Sequence, residues 1–370
     1  MLPSRAKIAA VLSLLILVLA GSPSLACQWT YFPLPGGFSY PPSMRAFASN
    51  DIWALRGIGQ NEILWHWNGV AWGFGPVLEP PPNVQYSLGG MSGTSDHDLW
   101  VVGSSDVNGS LEPLAAHFDG ANWTPISVPD PNANACSPSP DQLLAVQSFS
   151  STDVIAIGLY CTMISGNAVF HLSAIHWNGI RWSVVGRVEY GRFDYQAQNG
   201  GPTIAATSSS DVWLVGRKTI LHFDGAHWTH MTPGRILFSA IYEVTPSDAW
   251  AVGSEQTTPM GGHVGTIVHW DGSTWSHVHV PLGSYGDSEL LSVTGDGPSD
   301  AWAVGSYAVG PRQNRFLSVH WNGKRWLDAP SFDSHDGIYD IAAALNGGAV
   351  WAIGVRRTGQ AVAAYHCPIQ

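Results

Sequence analysis

Charge is scarce in this chain. Asp, Glu, Lys and Arg make up 12 % of its 370 residues, about half the share of an average soluble protein. Lysine and arginine total 16 against 27 acidic residues, for a formal net charge of −11. Nucleic acids and anionic membrane surfaces both need a basic face, so that balance argues against either as a partner. Long apolar runs are missing beyond the first 26 residues, so no membrane span follows them. Cysteine is limited to four, and their spacing is not that of a zinc site. No Ser/His/Asp signature and no phosphate-cradling glycine loop occurs either. No cofactor, no metal and no catalytic residue is expected.

The first 26 residues have the layout of a signal peptide. Arg5 and Lys7 supply a positive start, Ile8 to Leu19 an apolar run, and Ser24-Leu25-Ala26 a small-x-small cleavage site. The expectation is a secreted protein cleaved after Ala26. The alternative is a lipid anchor on Cys27, although Ser24 stands where a lipobox usually has leucine.

What the chain has in excess is tryptophan, 18 of them, with 41 glycines and 25 prolines. The tryptophans fall in a repeat. One half-motif reads Asp51-Ile-Trp-Ala-Leu, and returns from Asp98, Asp153, Asp211, Asp248, Asp300 and, with the Asp lost, Ala349. A second half-motif reads "HWNGVAW" from His66, and returns from His117, His176, His222, His269 and His320, with His366 taken as its last, truncated copy. The first half alternates like a strand. The second suits a hairpin around Asn-Gly or Asp-Gly, expected as a two-residue turn with both central residues at positive φ. Four strands per unit, a to d, predict an all-β, seven-bladed β-propeller over residues 27–370. Its last blade lacks strand d, which Gln28–Phe32 would supply, with Trp29 in the slot of Trp72 and Trp123.

This pattern resembles tectonin-type propeller repeats, and in its Asp-Gly-x-x-Trp portion the Asp-box hairpin of sialidase-like propellers. The resemblance covers nearly all of residues 27–370. It implies the propeller fold, and, because tectonin relatives are often glycan-binding, a lectin-like role. Gly103, Gly216 and Gly253 stand where tectonin repeats usually carry Asn.

Features shared by every blade read as scaffold. The tryptophans are expected to pack between blades. Each Asp is expected to bond the His of its own blade: Asp51 with His66, Asp98 with His117, Asp153 with His176, Asp211 with His222, Asp248 with His269 and Asp300 with His320. Function is expected on the opposite face, where the d–a and b–c loops vary. There Tyr190, Arg192, Phe193, Tyr195, Arg217 and Lys218 are the candidate ligand-binding residues, a set suited to an acidic sugar or peptide. The expected protein is a monomeric, non-enzymatic binder of a glycan or an extracellular protein. The alternative is a sialidase-like or lyase-like carbohydrate enzyme with carboxylates at the central channel, where the sequence offers only Asp333, Asp336 and Asp340 around His335. Four cysteines allow three connectivities, and the expected one is Cys27–Cys367 with Cys136–Cys161. In the chain-entropy model the long terminal loop is worth about 5 kcal/mol and the short one about 3.5. Cys367→Ser should therefore lower the melting temperature more than Cys136→Ser, and non-reducing peptide mapping should recover both linked peptides.

Overall fold

The computed structural model describes residues 29–35, 43–56, 63–129, 136, 141–189, 203–257, 262–282, 287–310, 313–329, 338–345, 349–355 and 361–366. Among them every regular element is a strand. Four consecutive antiparallel strands form one sheet, six times over. The innermost strands of these six are Ser43–Ala48, Val84–Ser95, Gln142–Ser150, Thr203–Ser208, Ile236–Thr245 and Ser288–Gly297. A further four-stranded sheet has Ile338–Leu345 innermost, then Ala349–Val355 and Ala361–His366, and takes its outer strand, Thr30–Pro33, from the other end of the chain. The inner strands neighbour one another in sequence order, and Ile338–Leu345 lies beside both Ser288–Gly297 and Ser43–Ala48, so the ring closes.

The expectation of seven equivalent blades is corrected here. The repeat builds six blades, each continuous in sequence, and a closing sheet that is not one of them. In all six blades a register shift falls in strand a just before the a–b turn, as between Ala46 and Ala48 or Gly295 and Gly297. The closing sheet has none there, and Leu345 pairs straight across to Ala349. Register also moves the last histidine. In the blades, the b-strand residue two after the Asp faces the repeat His, as Trp53 faces His66 and Trp302 faces His320. In the closing sheet Trp351 faces Tyr365, so Tyr365 and not His366 holds that slot. The Asp and its His are thus lost together.

Strand b shows why a propeller results. Side chains alternate along a strand, and here both faces are buried, so the run is almost wholly apolar. Ile52 and Ala54 pack toward the closing sheet, while Trp53 and Leu55 pack toward blade two. The b-strand indole of one sheet is wedged against the c- and d-strand aromatics of the next. Trp100 meets Trp177 and Trp182 at 5.6 and 5.5 Å, Trp213 meets Trp270 and Trp275 at 5.2 and 5.3 Å, and Trp250 meets Trp321 and Trp326 at 4.8 and 5.3 Å. The closing sheet joins the same belt. Trp351 meets Trp67 and Trp72 of blade one, and Trp29 meets Trp302 and Phe316 of blade six. Trp65, outside the repeat slots, is also fully buried and bonds the Pro35 carbonyl at 3.0 Å.

The c–d turn differs from the expected two-residue type. Trp67 pairs with Trp72, leaving four residues, Asn68 to Ala71, in the loop. The Asn68 side-chain oxygen Oδ1 accepts from Val70 N and Ala71 N, both at 3.0 Å, and in this loop only Gly69 takes positive φ. This Asx-type turn recurs at Asp119, Asn178, Asp224, Asp271 and Asn322. Accepting backbone N–H groups favours the ionised carboxylate, which holds Asp119 and Asp224 below the usual range and brings Asp271 down to about 2.

Gly103 and Gly253 have a steric cause. A Cβ on Gly103 would sit 1.9 Å from the Ser87 carbonyl oxygen, and one on Gly253 would sit 2.0 Å from that of Leu237. Each faces a bulge in strand a, between Leu88 and Gly90 and between Phe238 and Ala240, which turns a carbonyl inward.

Cys136 and Cys161 form a disulfide with Cα atoms 5.9 Å apart. Cys161 lies within strand b, Asp153–Ile164. Cys27 and Cys367 lie outside the described residues.

Two outcomes follow from this packing. Trp29→Ala should cost about 3–5 kcal/mol, the range for a large aromatic deleted from a core, read by chemical denaturation. Hydrogen exchange should then locate the new opening in Ala361–His366. Gly253→Ala should cost about 3 kcal/mol by forcing the bulge carbonyl away, while Gly73→Ala, which meets nothing within 4 Å, should be near neutral.

Candidate functional site

The two faces of the ring are built differently. The a–b and c–d turns share one face, which carries the Asp–His pairs. In blades one to six the His Nε2 lies 2.8, 2.7, 2.8, 2.6, 2.8 and 2.7 Å from its Asp Oδ1. The b-strand tryptophan lies against the His ring, stacked at 4.2 Å for Trp53 on His66 and 4.1 Å for Trp213 on His222. Trp53 also donates to Asp51 at 2.8 Å. In blade three Ile155 takes the tryptophan slot and the Asp153–His176 bond persists without it. Every His nitrogen facing its Asp is thereby engaged, so these histidines are occupied in holding turns.

The opposite face carries the d–a and b–c connections. Of the candidate residues there, Tyr190, Arg192, Phe193 and Tyr195 lie outside the described residues, as do Asp333, His335 and Asp336, while Asp340 is placed only as backbone. Arg217 and Lys218 form a tight two-residue b–c turn between Gly216 and Thr219. The Arg217 carbonyl accepts from Phe238 N of blade five at 2.8 Å, fixing the turn against its neighbour. Arg217 Nε is buried without a hydrogen-bond partner, and Lys218 is exposed. Among the described residues every ion pair within 4 Å joins an Asp to a His, and none uses Arg or Lys. A second polar group on this face lies between blades five and six. His263 N donates to Asp287 Oδ1 at 2.6 Å, and burial raises the Glu289 carboxyl against a bond from Ser306 at 3.4 Å.

Arg45 and Glu243, charged residues on the inner strands of blades one and five, were not singled out from the sequence. Arg45, in strand a of blade one, donates through one terminal nitrogen to Gln147 Oε1 of blade three at 2.8 Å and to Ser92 Oγ of blade two at 3.4 Å. Its other terminal nitrogen donates to its neighbour's carbonyl, that of Met44. Glu243, in strand a of blade five, faces Ala249, a position held elsewhere by Ala46, Gly93, Ser148, Ala206, Gly295 and Ala344. Burial, and then the nearby Asp211 carboxylate, push Glu243 up to about 8. Thr207 and the Trp213 indole lie near enough to favour its charged form slightly, yet neither carboxyl oxygen closes a full hydrogen bond. The signal for both was positional. Once strands a are aligned, these are charges at slots that otherwise hold small or neutral side chains.

The fold defines the class, a β-propeller. No protein-family model matches the sequence, and no curated protein matches it. Solved structures do match in shape. "YCF48 bound to D1 peptide" superposes with a TM-score of 0.57 at 12 % identity, over 94 % of this chain and 100 % of that one. YCF48 from Cyanidioschyzon merolae gives 0.56 at 14 %, over 90 % and 98 %. Virginiamycin B lyase from Staphylococcus aureus gives 0.57 at 12 %, over 93 % and 100 %. Identities this low establish the shared fold and nothing further.

Glu243 yields a pH test. The unfolded chain releases this proton near the ordinary value of 4.5, whereas the folded chain keeps it to about 8. The folded state therefore binds more protons between those values, and stability falls as pH rises through that window. The full shift corresponds to about 4 kcal/mol at pH 8; solvent screening reduces that, so Glu243→Gln should stabilise by about 2 kcal/mol at pH 8 and by nothing at pH 4, read from denaturation midpoints across pH.

Proposed function

We propose that this chain is a secreted binding propeller that recognises an acidic glycan or acidic protein segment on its variable-loop face. The observation that carries this reading is Arg217. A buried guanidinium nitrogen without a partner is costly to maintain, and it stands on the loop face beside exposed Lys218. Only Nε is enclosed in this half-buried side chain, so a ligand carboxylate would bond its terminal nitrogens, as Arg is suited to do. The ring supports the reading by division. The Asp–His pairs and Asx turns recur on one face, leaving connections free to differ on the other. The peptide named with one similar propeller, and the lyase activity named for another, belong to those proteins.

The test is a glycan array and an acidic-peptide array probed with the purified protein. Binding should favour acidic ligands. The Arg217→Ala, Lys218→Ala double variant should lose at least about tenfold in affinity, the loss expected of a charge-assisted bond, with its melting temperature within about 2 °C of wild type. Equal binding by the double variant, or preference for neutral glycans, would overturn this assignment.

A further inference from the structure

We propose that the central channel holds a carboxylate-binding site, with the Arg45 guanidinium as its anchor and Ser92 and Gln147 as the groups that aim it. The geometry places the guanidinium in the channel. Arg45 belongs to blade one and Gln147 to blade three, and their 2.8 Å contact passes the inner strand of blade two. Only the channel offers that route. Arg45, Ser92 and Gln147 occupy one register level, facing Trp53, Trp100 and Ile155 of their own blades. Ser92 is itself fixed from behind, accepting from Ser148 N at 3.0 Å with its hydroxyl 3.4 Å from that of Ser148.

Those partners are all neutral. The contacts to Gln147, Ser92 and the Met44 carbonyl account for three of the five N–H donors of a guanidinium. No carboxylate among the described residues lies within ion-pair distance of it. A charge enclosed this way, uncompensated, is unfavourable. Burial lowers Arg45 to about 10, which leaves it cationic at neutral pH. In a protein of net charge −11, a cation on the channel wall with no anionic partner among the described residues draws in one negative charge. A carboxylate matches it in charge and fork geometry. A phosphate near its dianionic form would bring one negative charge too many.

The experiment uses the purified protein with glucuronate, glucose and inorganic phosphate as probes, read by thermal shift and by the Arg45 Nε–Hε resonance. Glucuronate should raise the melting temperature and shift that resonance, with phosphate weaker and glucose without effect. Arg45→Gln should lose the response while melting no lower than wild type without ligand, since it removes an unpaired charge. Arg45→Lys keeps the charge without the fork, and should respond about tenfold more weakly. The Arg217→Ala, Lys218→Ala variant should respond like wild type, which separates this site from the loop-face reading. The proposal is overturned by an equal response in Arg45→Gln, by a stronger response to phosphate than to glucuronate, or by an Arg45 resonance that glucuronate leaves in place.

Discussion

Each strand b in this ring is buried on both faces, and that constraint organises the rest. Such a strand cannot be satisfied inside its own sheet. Its small residues accept one neighbour and its tryptophan drives into the other, between the c- and d-strand aromatics that follow. A row of these sheets is self-consistent everywhere except at its ends, where one face would be left open. The N-terminal strand resolves both ends at once. Trp29 and Tyr31 face blade six, while Phe32 and Leu34 face blade one. Phe32 lies 4.6 Å from Trp67 and 5.4 Å from Trp351. The strand Thr30–Pro33 and the residue on either side of it therefore secure two seams, because alternate side chains point opposite ways.

The exception within the belt is instructive. Blade three has Ile155 in place of the wedge tryptophan, so its seam with blade four is filled by Phe223, Trp228 and aliphatic residues. The same blade has the longest b and c strands, 12 and 11 residues, and the disulfide at Cys161. Length and a covalent tie accompany the one seam between these blades that lacks an indole wedge.

Much of this architecture was legible in the sequence because it repeats. Asp51 and His66, Asp300 and His320, and the tryptophans between them recur at fixed offsets, and the residue types name their partners. What failed was register, which repeats do not encode. Taking His366 as the last repeat histidine was a one-residue slip, and only the Trp351–Tyr365 pairing corrects it. The turn failed for a related reason. Asn-Gly suits a two-residue hairpin, but four residues lie between Trp67 and Trp72, and the Asn68 side chain does the work of the missing backbone bond. Arg45 and Glu243 were invisible because they break the pattern singly. Their meaning depends on which inner-strand position is enclosed, which periodicity alone does not reveal.

The composite closing sheet also orders events in time. Thr30 pairs with Tyr365, so the first described strand to leave the ribosome waits for nearly the last. Six blades can form locally as they emerge, each from consecutive strands with short turns. The final pairing joins the most distant contacts in the chain, the kind that closes slowly. Until then the ring is an open arc with a bare edge on Ala361–His366 and an exposed indole at each end. Such an arc can take an edge strand from a second copy as readily as its own. The species at risk of aggregation is therefore not the unfolded chain but a nearly complete ring.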